Sequence, residues 1–392
     1  MMSQRPRALY VQYTNPAAYP PLEHSVRLLA DSGWEVLLLG TAAPGDTLKM
    51  SMQDGVRVEL LPFVAPGWRQ KLHYLRFAAW AQGRCRGFRP DWIYASDPLS
   101  CPITLSLAAA TPARLLYHEH DGPAEESNAT SWFMRTVLSA RRRLAARAEL
   151  CVLPNEHRTE LFQRAHPSAR VMTVWNCPTR HEINPVRRMS SSQLRVLYHG
   201  SIVPSRLPLA VIDAIARLPE AVRLIVVGYE TPGHVGYVDE LRRRAREQQV
   251  EGRVDFRGPL SRAELMRHCA TCDVGLAVLP LRPSDVNERA MIGASNKVFD
   301  YMAAGLAVVV PDAPEWRAAY VDTGFGVGCD PESAASVAMA LNRLLADPSE
   351  RIAMGERARQ KIDDEWNYEH AFAPVLACMG ATPVKAGDPV LV

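Results

Sequence analysis

Short apolar runs alternate with amphipathic segments along most of the chain, beginning near residue 8. Ala8 to Tyr13 predicts a strand, Leu22 to Asp31 a helix and, after Gly33, Glu35 to Leu39 a second strand. Trp92 to Ala95 predicts a strand that presents Ser96-Asp97 at its end. Helix 101–110 follows, then a strand from Arg114 to Tyr117 that ends in His118-Glu119-His120-Asp121-Gly122. The second half repeats the rhythm. Leu194 to His199 predicts a strand ending in His199-Gly200-Ser201, and a helix runs from about Arg206 to Arg217. Strand Arg223 to Val227 stops at Gly228. Helix 236–248, strand 253–256 closed by Gly258-Pro259, helix 261–270 and strand 273–279 complete the series. Short apolar strands separated by helical segments predict parallel sheets covered by helices on both faces. Ligands of such sheets sit at the carboxyl ends of the strands, which puts Gly200, Gly228 and Gly258 on the binding edge.

The segment Gly293 to Gly305, followed by Leu306 to Pro311, reads as a loop, a two-turn helix, a glycine stop and a buried strand. Ser295 and Asn296 are good N-cap residues, so free backbone N–H groups point out of the helix start. That end attracts phosphate. Lys297 adds a full charge in the first turn, and Asp300 lies three residues on along the same face. Phosphate donors and a carboxylate one turn apart suit a nucleotide diphosphate and a pair of sugar hydroxyls. An ordinary capped helix packed on a sheet accounts for the same residues.

The order of these pieces resembles the nucleotide-sugar-binding domain of the retaining GT-B glycosyltransferases, family 4. Its members carry a strand ending in glycine, an Arg near the next helix start, a second strand ending in glycine, and Lys-x-x-Glu-Tyr-Met-Ala-x-Gly before an apolar strand. Here these are His199-Gly200-Ser201 with Arg206, Ile225-Val226-Val227-Gly228, and Lys297 to Gly305. The resemblance is strong over about 190–370 and weaker elsewhere. Two features depart from it. The first of the family's paired glutamates falls at Ile292, the second at Asp300, and a frequent Lys after the matched Arg falls at Leu207.

In the first half, family members often end a strand in Tyr-Asp-x-His-Glu, with the His facing the donor sugar. That alignment implies the His role for His120 and the acidic one for Asp121, with His118 in place of the Asp. A structural histidine is the other reading, and His120 ranks ahead of His118. The glycine-rich loop usual after strand one is replaced by Thr14 to Pro21, stiffened by three prolines.

Charge changes the picture only when divided. Residues 1–190 hold 23 Lys and Arg against 16 Asp and Glu, a net of +7, whereas the remainder nets −4. A basic half favours an anionic partner such as a membrane surface, an acidic glycan or a lipid diphosphate, or is a solvated face. Trp68 to Arg86 predicts a helix with Trp68, Leu72, Leu75, Ala79 and Trp80 in an apolar stripe and Arg69, Lys71, Arg76, Arg84 and Arg86 as cations. Residues 132–147 repeat this, with Trp132-Phe133-Met134 ahead of Arg135, Arg141, Arg142, Arg143 and Arg147. Such helices lie on anionic bilayers or pack on their own sheet. Cys269 and Cys272 have zinc-like spacing but no second Cys/His pair nearby, so buried thiols are expected. No apolar run reaches transmembrane length, and no secretory h-region opens the chain.

Together these readings give an α/β chain of GT-B fold, two Rossmann-like domains facing each other across a cleft. Residues 1–185 form the acceptor-side domain and 186–365 the nucleotide-sugar-binding domain, joined through the turn-rich segment Cys177 to Gln193. Residues 366–392 form a helix crossing back to the first domain, plus a tail. The expected activity is transfer of a sugar from a nucleotide diphosphate sugar to an acceptor hydroxyl, with retention implied by the resemblance, in polysaccharide or glycolipid biosynthesis. His120, Asp121, Arg206 and Lys297 are the expected catalytic residues. Gly200, Ser201, Gly228, Gly258, Ser295, Asn296 and Asp300 are expected to bind the donor, Asp300 through ribose hydroxyls. Neither a metal nor another cofactor is expected, because fixed cations and the helix end suffice for a diphosphate leaving group. The expected partners are the nucleotide-sugar donor, a glycan or lipid-linked acceptor and an anionic membrane, with no nucleic acid. The expected location is cytoplasmic, peripheral on the inner membrane face. A nucleotide-sugar epimerase and a non-catalytic binding protein are the alternatives.

Overall fold

Strands buried on both faces read as near-continuous apolar runs, and here they form two all-parallel sheets. The computed structural model describes residues 5–43, 50, 53–123, 131–183, 193–231, 233–283 and 286–381. The chain divides into two units, residues 1–176 with 368–392 and residues 177–367. Pro185, Ser190 to Ser192 and the tail beyond residue 381 lie outside the described residues.

The first unit holds β1 (Arg7–Gln12), β2 (Glu35–Thr41), β3 (Val56–Leu61), β4 (Trp92–Ser96), β5 (Arg114–His118), β6 (Leu150–Leu153) and β7 (Val171–Thr173), in the order β3-β2-β1-β4-β5-β6-β7. Its helices are α1 (Pro20–Asp31), α2 (Trp68–Phe88), α3 (Cys101–Ala108), α4 (Trp132–Ala145) and α5 (Glu156–Ala165). The second unit holds β8 (Leu194–Ile202), β9 (Val222–Glu230), β10 (Val254–Phe256), β11 (Val274–Leu276), β12 (Ala307–Pro311) and β13 (Gly326–Cys329), in the order β10-β9-β8-β11-β12-β13. Around it lie α6 (Leu209–Ala216), α7 (Tyr237–Glu247), α8 (Arg262–Cys269), α9 (Val286–Arg289), α10 (Asn296–Ala303), α11 (Pro314–Trp316), α12 (Ala334–Ala346) and α13 (Pro348–Asp364). The last helix, α14 (Tyr368–Met379), belongs to the first unit, where Tyr368 meets His24 of α1.

Strand order reverses between β1 and β4 in one sheet and between β8 and β11 in the other. Those two crevices are where the topology offers a ligand room at the strand ends. Some boundaries differ from the sequence reading. β8 and β9 run on through Gly200 and Gly228, which face each other in register. A Cβ at Gly228 falls 1.8 Å from the Gly200 carbonyl oxygen, so the glycines permit the strands to continue rather than stop them. The helix expected from Arg206 begins at Leu209, after Arg206 and Leu207 have returned their N–H groups to the Val203 carbonyl.

The stripe expected on α2 is also corrected. Tyr74, Phe77, Ala81, Cys85 and Phe88 pack on the sheet, whereas Trp68, Leu72 and Leu75 are 67%, 58% and 65% exposed. The helix carries two apolar faces, and burial chose the one with the larger aromatic core contacts. Arg141 leaves the basic set of α4, because it is buried and closes on Glu119. Both Cys269 and Cys272 are buried thiols. Among the described residues no helix is long and apolar enough to cross a membrane.

Candidate active site

In the second unit, Tyr301 sets the position of α10. Past Gly275, β11 parts from β8, leaving backbone groups to be satisfied. The Tyr301 hydroxyl accepts the His199 N–H at 3.0 Å and donates to the Leu276 carbonyl at 3.2 Å, bridging the gap. Its ring needs the missing side chain of Gly275, where a Cβ falls 2.1 Å from the ring. α10 is therefore pinned with its start over the strand ends. Ser295 sits at the N-cap with extended backbone but makes no side-chain cap bond, so it does not cap as its type suggests. The buried Asn296 Oδ1 has no hydrogen-bond partner.

Lys297 lies across Gly200, where a Cβ falls 2.9 Å from Nζ, and Nζ stands 5.5 Å from the centre of the Tyr198 ring. Desolvation and the neighbouring Arg206 hold its ammonium down to about 7. Arg206 donates to Ser201 Oγ at 3.1 Å, and its Nε lies 3.6 Å from Glu288. Ser205 donates to the same Glu288 oxygen at 2.7 Å. The structure thus brings Gly200, Ser201, Arg206 and Lys297 to one place. It adds Glu288, which the sequence did not single out, as an internal anion beside the cations. Gly228 and Gly258 continue this edge, the Gly228 N–H donating to the Gly258 carbonyl at 2.9 Å.

Asp300 has partners that the sequence did not reveal. It is 1% exposed, and Arg262 donates to both of its oxygens at 2.7 Å. The ion pair fixes the carboxylate and leaves each oxygen a further lone pair for a ligand hydroxyl. Arg262 went unnoticed in the sequence. The available signal was a cation in the first turn of α8, where the helix dipole disfavours it.

In the first unit, the ends of β1, β4 and β5 converge. The His120 ring is buried, packs 3.9 Å from the His118 ring and leaves both of its nitrogens without partners. Burial, and then Arg158, hold its imidazole down to about 3, so the ring is neutral. His118 is fixed differently, through a hydrogen bond between its Nδ1 and the Tyr94 hydroxyl. Glu119 turns away to Arg141 and Tyr117, so only part of the expected cluster faces one side. Asp121 remains exposed, its N–H directed at Asp97 Oδ1 at 3.3 Å.

Asp97 is the residue that the sequence located without assigning it a role. Its backbone sits at φ 63°, ψ 165°, a region occupied almost solely by glycine and costing about 1–3 kcal/mol. Burial and the nearby Asp121 push its carboxyl up to about 7. Gln12 approaches its other oxygen at 3.3 Å. A strained backbone, a carboxyl pushed above its ordinary range and an unsatisfied histidine come together at this topological switch point.

A family model described as Glycosyl transferase 4-like domain matches residues 22–177, and one described as Glycosyl transferases group 1 matches residues 193–347. The D-inositol 3-phosphate glycosyltransferase of Kineococcus radiotolerans is 28% identical over 181 residues, 42% of this chain and 39% of that relative. HepE from Anabaena, solved with UDP and glucose, aligns at TM-score 0.72 and 18% identity, covering 96% of this chain and all of that one. WaaG, a glycosyltransferase involved in lipopolysaccharide biosynthesis, aligns at TM-score 0.65 and 15% identity over 95% of this chain and all of that one. The two family matches follow one another along the chain, and the two parallel α/β sheets match the solved GT-B enzymes. The chain is a GT-B glycosyltransferase of the family 4-like type.

Proposed function

We propose that this glycosyltransferase moves a sugar from a nucleotide diphosphate to an acceptor hydroxyl with retention of configuration. The observation that carries the reading is Lys297 lying over Gly200 beside Arg206, at the start of α10. Two cations and a helix N-terminus converge where a leaving diphosphate gathers charge, and fixed donors of this kind stabilise it without a metal. Ser201, Ser295 and Asn296 border that anion, and Gly228 and Gly258 leave backbone room for the nucleoside. HepE was solved with UDP and glucose, which supports a nucleotide-sugar donor here. His120, neutral and with neither ring nitrogen hydrogen-bonded, is assigned to the transferred sugar, with Asp121 next to it in the chain.

The acceptor is a glycan or lipid-linked sugar of cell-surface polysaccharide or glycolipid synthesis, met at the cytoplasmic face of an anionic membrane. Support comes from the outward face of α2, where Trp68, Leu72 and Leu75 stand among the exposed Arg69, Lys71 and Arg76. Trp132, 79% exposed at the start of α4, is followed by Phe133, which packs against Tyr74 of α2, so the two helix starts are neighbours. Apolar side chains among cations suit a bilayer of anionic lipid. The direct test incubates the protein with nucleotide sugars and membrane-extracted acceptors and follows release of nucleoside diphosphate with a glycosylated product. Donor epimerised without acceptor identifies an epimerase instead, and no turnover with any donor identifies a binding protein.

A further inference from the structure

Along β5 and the residues just after it, side chains alternate between the two faces of the strand. Tyr117 and Glu119 meet on one face, where the tyrosine hydroxyl donates to Glu119 Oε2. His118 and His120 meet on the other, with their rings 3.9 Å apart. Glu119 and Arg141 of α4 are both buried, at 4% and 6% exposure. The Arg141 fork closes on both carboxylate oxygens, Nε to Oε2 at 2.5 Å and Nη2 to Oε1 at 2.9 Å. Its guanidinium lies 4.8 Å from the centre of the Phe162 ring, and Nη1 stands 3.3 Å from His166 Nε2 at the end of α5. The Glu119 N–H donates to the Val152 carbonyl at 2.9 Å, so backbone and side chain of this residue are both held.

A buried ion pair is a poor device for stability alone. Desolvating two charges offsets much of their attraction, and an apolar pair of similar volume often serves as well. What the pair supplies is direction, because a guanidinium forked onto a carboxylate has a narrow geometry. That geometry is imposed on the one residue that stands between the two histidines. We propose that Arg141 and Glu119 are positioning residues of the transfer site, fixing the His120 ring from the opposite face of its strand. The inference rests on the proposed role of His120 in sugar transfer, and the test separates the two.

Glu119→Leu combined with Arg141→Met replaces the pair by apolar side chains in the full-length protein. Each single variant leaves one charge buried alone and should unfold at a clearly lower temperature, whereas the double should regain most of the native thermal stability. Ring NMR on ligand-free protein carrying isotope-labelled histidine, with His120 assigned through His120→Gln, then reads the imidazole directly. Its signal should move or broaden in the double variant. With UDP-, GDP- and ADP-glucose and membrane-extracted acceptors, kcat should fall by about ten- to a hundredfold, the loss that follows a misplacement of about 1 Å. Nucleoside diphosphate affinity should stay within about twofold, since the pair removes nothing from the diphosphate seat of the other unit. An unmoved His120 signal overturns the inference, as does native kcat in the double variant or a matching loss of nucleotide affinity. Should the double variant not fold, Arg141→Lys, which keeps the charge and loses the fork, is read by the same criteria. Full activity in His120→Ala, or no turnover of any of these sugars by the native protein, contradicts the proposed function. The His120 signal then decides the positioning by itself.

Discussion

The Asp97 carboxylate accepts the backbone N–H of His120 at 2.8 Å, joining the end of β4 to the end of β5 across the switch point. Arg158 holds the other side of the same residue, donating to the His120 carbonyl at 2.8 Å. Backbone clamps at both ends, and His118 tilted against the ring, fix an imidazole whose own nitrogens are buried without hydrogen-bond partners. The strain at Asp97 is offset by that fixed geometry.

His120→Ala should abolish sugar transfer while leaving nucleoside diphosphate affinity within about twofold, because the proposed function assigns the ring to the sugar and not to the phosphates. His118→Ala should retain measurable turnover, since its Nδ1 is committed to Tyr94. Initial rates and calorimetry on both variants decide it. Equal activities, or a shared loss of nucleotide affinity, contradict the assignment.

Asp97→Asn should preserve the clamp, because an amide oxygen still accepts the His120 N–H, and Asp97→Ala should not. The sign of the pH effect follows from the carboxyl pushed up to about 7. Between about 4 and 7 the folded state binds more protons at Asp97 than the unfolded state, so this residue's contribution to stability falls as pH rises. Asp97→Asn should therefore flatten that part of the stability profile. Chemical denaturation at pH 5 and pH 8 measures it, and an unchanged slope excludes a displaced Asp97.

Glu288 shares Arg206 and Ser205 in the free protein, so an incoming diphosphate must compete with it. Glu288→Gln should tighten nucleoside diphosphate binding severalfold, read by calorimetry. Weaker binding would instead make Glu288 a ligand of the donor.

The strand series was legible because each apolar run and each glycine needed for close packing is a local property of the chain. The parallel sheets follow from that rhythm. Lys297, Arg206 and Gly200 could be grouped because the sequence reads all three as strand ends or helix starts on one edge. What the sequence hid lies in long-range partners. Arg262 reaches Asp300 across 38 positions and Glu182 across 80, and no local pattern announces either. The two apolar faces of α2 have similar spacing, so periodicity alone cannot say which one meets the sheet. Asp97 had a faint signal, a carboxylate between a strand and Pro98 where the backbone is pushed extended, but its positive φ is set by the fold.

Peripheral binding should be electrostatic and shallow, at about 1 kcal/mol for each cation near an anionic surface. Cosedimentation with anionic vesicles at low salt should recover the protein, and high salt or neutral vesicles should release it. Trp68→Ala with Trp132→Ala should weaken the association. Protein left in the supernatant with anionic vesicles at low salt would show that the exposed α2 face is only solvated.

The proposed function depends most directly on the diphosphate seat. Lys297 is held down to about 7 in the free protein, and a bound diphosphate must raise it again. Affinity should therefore fall as pH climbs through 7, by up to about tenfold per unit, with proton uptake on binding. Calorimetric titration of nucleoside diphosphates at pH 6.5 and 8.5, in buffers of different ionisation enthalpy, reads both quantities at once. The prediction is proton uptake and pH-dependent affinity in the native protein, and weakened diphosphate binding in Lys297→Ala or Arg206→Ala with the fold intact, each also losing about 2–4 kcal/mol of transition-state stabilisation in turnover. Native-like affinity in both variants, with no proton taken up, would place the diphosphate elsewhere and contradict the account.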